Sequence, residues 1–68
     1  MDYYKQYMVN YLSMDDAMQQ SAKLHWTRCH LNNIASGRQD LIIFSAQILK
    51  AIEFADEILS SRAANAYA

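Results

Sequence analysis

Proline is missing from this chain and glycine occurs once, at Gly37, so almost nothing in it stops a helix. The single cysteine, Cys29, excludes an intrachain disulfide and with it the framework of a small secreted scaffold. Excess charge is also missing. A net charge of -1 and a pI near 6.0 give no global pull toward nucleic acid or an acidic membrane, so any such binding would have to be local. The longest apolar stretch, from Leu41 to Ile52, is interrupted by Ser45, Gln47 and Lys50. It falls short of the roughly 20 residues that span a bilayer. Met1-Asp2-Tyr3-Tyr4 lacks the basic segment and apolar run of a secretory signal, and a cytoplasmic location is the expectation.

Catalytic and metal signatures are equally sparse. There is no glycine-rich phosphate loop and no Gly-x-Ser-x-Gly elbow. His25 and Cys29, four apart, share a helix face, with His30 adjacent, but a closed zinc site needs four ligands and there is no second Cys/His pair. Glu53, Asp56 and Glu57 sit near Lys50 and Arg62 as an ordinary solvated helix face does. Neither an enzyme, a metal site nor a cofactor is expected.

What is present is apolar residue, 53% of a 68-residue chain, interleaved throughout with Gln, Asn, Ser and charges. That is a globular composition with room for one domain, residues 1–68. A lone core of this size rarely supplies more than roughly 3–5 kcal/mol of net stability. Without a disulfide or a metal, the remaining source of support is a partner chain.

The expected fold is all-α. Ala35-Ser36-Gly37-Arg38-Gln39-Asp40 is the one strong punctuation mark, because Gly37 can take the left-handed conformation that ends a helix. Ser36 with Gln39 fits a capping box opening the next helix, and Asp40 suits its positive first turn. This predicts an antiparallel helical hairpin with helices at about 14–35 and 39–62, preceded by a Tyr-rich helical segment at about 2–12 and packed into an oligomeric bundle. Ser13-Met14-Asp15-Asp16 offers a weaker boundary with Ser13 as the cap. Tyr3, Tyr7, Tyr11, Met14 and Met18 form one continuous stripe, so an unbroken first helix fits as well. After Arg62 large apolar residues run out except for Tyr67, and residues 60–68 are expected to fray.

In the helix after Gly37, Leu41, Phe44, Ile48, Ile52, Ala55 and Leu59 recur at three- and four-residue spacing, widened by Ala51 and Ile58 into a core face. Ile43 and Phe54 extend it on one flank, while Ile42 and Leu49 point toward the polar side. One partner helix cannot cover all of this, which makes Ile42, Ile43, Leu49 and Phe54 the candidate oligomerisation residues. The preceding helix offers Met14, Ala17, Met18, Leu24, Leu31 and Ala35 as its core stripe, interrupted by Ser21, His25, Arg28 and Asn32. Polar residues so placed either line a wet interface or fix register and oligomer state, as they do in coiled coils.

Trp26 projects opposite that stripe, among Gln19, Lys23, His30 and Asn33. Either the Tyr-rich segment folds back over it, or it is an exposed anchor of the kind common at interface hot spots. The tyrosines divide the same way between packing and contact. The function expected is a non-enzymatic protein–protein interaction module that regulates, inhibits or chaperones a larger protein, as a homodimer or in a hetero-complex. Trp26, Tyr4, Tyr7, Tyr11, Lys23 and His30 are its candidate partner-binding residues. The alternative is an RNA-binding dimeric bundle acting through Lys23, Trp26 and His30, although the cations are scattered along the chain.

Overall fold

A computed structural model describes residues 3–66, and the side-chain surroundings of residues 4–63. Among them every regular element is helical: α1 (Tyr3–Leu12), α2 (Asp16–Ser36) and α3 (Gln39–Ala66). No helix among the described residues is long and apolar enough to cross a membrane. The stretch from Ser60, expected to fray, is helical as far as Ala66; the expectations for Asp2, Tyr67, Ala68 and the Tyr3 side chain lie outside the described residues.

The chain does break near Ser13, but Ser13 is not the cap. Its hydroxyl turns back to donate to the Val9 carbonyl at 3.0 Å, closing the end of α1. Asp15 caps α2 instead: its backbone is extended (φ -75, ψ 171) and its carboxylate accepts from the Met18 N–H at 2.8 Å. A carboxylate there both satisfies a free N–H and meets the positive end of the helix dipole, which a serine hydroxyl does not.

At the other end of α2, Gly37 adopts φ 69, ψ 19, as expected. Its N–H donates to the Ile34 carbonyl at 3.1 Å and the Arg38 N–H to the Asn33 carbonyl at 3.3 Å, the paired bonds of a Schellman ending. Ser36 lies in the last turn of α2, not ahead of α3 as the capping-box reading placed it. The α3 helix opens directly at Gln39, with the Arg38 carbonyl accepting from the Ile42 N–H at 2.9 Å.

The α3 helix is the spine of the molecule, and both α1 and α2 pack on it. Contacts step backward along α2 as they step forward along α3: Asn33 meets Leu41, His30 meets Ser45, and Lys23 meets Asp56. The core is Tyr11, Ile48, Ile52 and Ala55, walled by Tyr7, Met8, Leu12, Met14, Ala22, Trp26, Leu49 and Leu59. The α3 part of it matches the stripe read from spacing, and Ala51 is fully buried where helices approach. Principal extents of 46 × 25 × 16 Å describe a long, thin body with much surface for its volume. So few fully buried residues fit the small-domain scaling that makes 68 residues marginal alone.

Candidate interaction surface

The inward face of α2 is the reverse of the one its apolar stripe suggested. Gln19, Ala22, Trp26, His30 and Asn33 turn toward α1 and α3, while Met18 (56% exposed), Leu24 (52%), Leu31 (60%) and Ile34 (51%) turn outward. The physical reason is that Trp26 is the largest apolar side chain on the helix and finds rings on both sides. Tyr7 meets it edge-on at 5.9 Å between centroids, and Phe44 at 5.9 Å from α3. Burying Trp26 here forces its neighbours at three- and four-residue spacing inward as well.

Apart from Ala22 those neighbours are polar, and each is satisfied. Gln19 is buried, and its Nε2 donates at 3.0 Å to the Tyr11 carbonyl at the end of α1, which also accepts from the Met14 N–H at 3.1 Å. Ser45 of α3 is fully buried. Its hydroxyl donates to the Leu41 carbonyl at 2.9 Å and accepts from Asn33 Nδ2 at 3.2 Å. His30 Nδ1 lies 2.7 Å from the same hydroxyl, in a hydrogen bond whose direction follows the imidazole tautomer. Among the described residues no buried side-chain nitrogen or oxygen lacks a partner. The polar seam is therefore a specific lock between α2 and α3, in which a shift of register would strand several groups at once.

A second lock joins all three helices at one carboxylate. The Tyr11 hydroxyl donates to Asp56 Oδ1 at 2.9 Å, and Lys23 Nζ lies 2.7 Å from Asp56 Oδ2. The Tyr11 phenol is pushed up to about 12, first by burial and then by the hydrogen bond and negative charge of Asp56, both of which oppose a phenolate. Tyr7 is also raised by burial, partly offset by its hydrogen bond to Trp26.

The expected partner-binding residues thus scatter over different environments. Tyr11, expected as an anchor, is 1% exposed and is a core residue. Tyr7 and Trp26 are half-buried against each other, so the Tyr-rich segment does fold back over the tryptophan. Tyr4 is half-buried with its ring edge-on to Phe54 at 6.2 Å, and Phe54 is exposed on its other side. Lys23 and His30 do share the inward side of α2 with Trp26, but Lys23 is neutralised by Asp56 and His30 is held by Ser45. An open groove beside the ion pair is lined by Lys23, Leu49, Ile52, Glu53, Asp56 and Glu57, an acidic setting for a supposed RNA contact. His25 Nε2 and Cys29 Sγ approach to 3.6 Å, and no group of three metal-ligating side chains occurs among the described residues.

Of the candidate oligomerisation residues on α3, Ile43 and Phe54 are exposed, whereas Ile42 and Leu49 are half-buried, Leu49 against the core. The larger share of exposed bulky apolar residue lies on α2, at Met18, Leu24, Leu31 and Ile34. The stripe itself was visible in the sequence; only its direction was not. No protein-family model, curated protein or solved structure matches this chain.

Proposed function

We propose that the chain is a non-enzymatic protein–protein interaction module, an antiparallel helical hairpin clasped by α1, that works by presenting the outward face of α2. The observation that carries this reading is the inversion of α2: Gln19, His30 and Asn33 are bonded on its inner side, and Met18, Leu24, Leu31 and Ile34 are left more than half exposed. Exposed apolar surface beyond what a monomer ordinarily carries marks interaction sites. Engagement would follow helix-in-groove recognition, with anchors at three-, four- and seven-residue spacing. Ile43 and Phe54 on α3 are also exposed and are available for assembly into a bundle. A cytoplasmic partner that the module regulates, inhibits or chaperones is the setting this reading assumes.

The test compares the wild-type chain with a Leu24→Asp/Leu31→Asp double variant. Both positions are solvent-facing, so the helical circular dichroism should persist. Loss of self-association or of a specifically captured protein in the variant alone supports the reading. A wild-type chain that stays monomeric at high concentration and captures nothing that the variant does not also capture ends it.

A further inference from the structure

Between α1 and α2 the backbone is interrupted by no residue that ordinarily interrupts helices. Ser13, Met14 and Asp15 make up the whole break, and neither proline nor glycine is among them. Helical bonding reaches the break from both sides. The Ser13 N–H still donates to the Val9 carbonyl at 3.2 Å, and the Gln19 N–H donates to the Asp15 carbonyl at 2.9 Å. At Asp15 φ is already helical at -75, so ψ, at 171, is the angle that departs. One unbroken helix would need only the backbone bonds from the N–H groups of residues 14–18. Two side chains stand in their way. The Asp15 carboxylate takes the Met18 N–H at 2.8 Å, which an unbroken helix would give to the Met14 carbonyl. The buried Gln19 amide takes the Tyr11 carbonyl at 3.0 Å, which an unbroken helix would pair with the Asp15 N–H. One side chain uses up a donor of the interrupted ladder and the other an acceptor.

We propose that α1 is a strap on a two-state hinge, which Asp15 and Gln19 hold folded back over Trp26 against the alternative of a single helix from Tyr3 to Ser36. The folded-back state sets Tyr7 on Trp26 at 5.9 Å and Tyr11 on Asp56 at 2.9 Å. It leaves a cleft of about 170 Å³ under α1, lined by Gln6, Tyr7, Asn10, Trp26, Phe44 and Ile48, so this seam is incompletely filled. The straight state gives up those contacts and regains the backbone bonds of residues 14–18. It uncovers Trp26 and Phe44 and brings Tyr7 and Tyr11 into line with Met14 and Met18 on one stripe. Each state is supported by a handful of hydrogen bonds and ring contacts, so two side chains that work only in the bent form decide between them. The hinge operates whatever the outward face of α2 binds.

Trp26 is the only tryptophan, and its emission reports whether α1 covers it. In the full chain, Asp15→Ala/Gln19→Met should shift Trp26 emission to the red and raise its quenching by acrylamide. The far-ultraviolet helical signal should hold or rise, because residues 13–15 join the helix. Loss of helical signal in the double variant, to the extent of the ten residues of α1 or more, overturns the proposal, since the two side chains would then merely stabilise a segment that melts without them. The single Gln19→Met variant keeps the Asp15 cap and should move part of the way in emission, again without loss of helix; a drop in helical signal there counts against the hinge in the same way. Asp16→Pro supplies the reverse control. Asp16 is the first residue of α2, where proline is well tolerated, and the extended Asp15 backbone is what a following proline requires, whereas proline inside an unbroken helix clashes with the preceding turn. Adding Asp16→Pro to the double variant should return Trp26 emission and quenching to their wild-type values. Unchanged emission in the double variant, or a red-shifted emission that Asp16→Pro fails to reverse, overturns the proposal.

Discussion

Raising the pH should destabilise this protein chiefly at one residue. Tyr11 is buried with its hydroxyl on the Asp56 carboxylate, and its phenol is pushed up to about 12 from 10.0. The unfolded chain releases the tyrosine proton near its ordinary value, while the folded chain holds it. Stability due to this group is therefore fully present below about pH 10 and is lost as pH rises toward about 12. At about 1.4 kcal/mol per pH unit the loss is on the order of 2–3 kcal/mol, comparable with the whole stability of a domain this small. Tyr11→Phe removes the titrating group. It also removes the hydrogen bond, at about 1 kcal/mol near neutral pH, because Asp56 keeps Lys23 and is open enough to water to find a replacement donor. Wild type should be the more stable protein near pH 8, and the two stability curves should cross close to about pH 11. Urea titrations followed by circular dichroism across this range give both curves, and the remaining tyrosines and lysines cancel in their difference. A wild-type advantage that stays constant to the alkaline limit would refute the Tyr11–Asp56 account.

Three further outcomes are expected. Ile52→Ala, at a 3% exposed position in the centre of the core, should cost about 2–4 kcal/mol and leave the chain largely unfolded in a thermal melt at room temperature. Gly37→Ala meets no atom within 4 Å, so its penalty is conformational alone: φ 69 should make it about 1–2 kcal/mol, read as a lower melting temperature with unchanged helix content. In gel shifts at low salt, single-stranded and duplex RNA should not bind. A salt-sensitive shift lost in both Lys23→Ala and Trp26→Ala would revive the RNA reading.

How far the sequence led differs by helix. The core face of α3 was legible because Ile48, Ile52 and Ala55 recur on a face where nothing polar competes except Ser45. The turn at Gly37 was legible because a lone glycine in a helix-rich chain has few other uses. Direction failed for α2, whose apolar stripe and whose tryptophan lie on opposite sides. Spacing weighs many modest side chains, whereas the fold was decided by one large ring with Tyr7 and Phe44 available to it. A signal was present in Gln19, His30 and Asn33, amide and imidazole groups that tolerate burial when bonded, in place of charges that do not. Their partners, a carbonyl at the end of α1 and a serine in the middle of α3, belong to other elements and could not be read locally. Tyr11 is the same case: its carboxylate lies 45 residues away. The Asp15 cap was within reach of the sequence, since the acids beside Ser13 supply both a cap and a favourable charge.

The union of Tyr11 with Asp56 also orders events in time. Because α1 packs chiefly on α3 instead of on the helix that follows it, a segment made earlier closes on one made some 45 residues later. The turn at Gly37 joins near neighbours and can zip early, while α1 must wait for a closure spanning most of the chain. During synthesis Tyr4 and Tyr11 wait for Phe54 and Asp56 to emerge. The clasp is then the last step of folding and the first to open. A protease acting on the native protein should nick the segment from Ser13 to Asp15 ahead of the turn at Gly37.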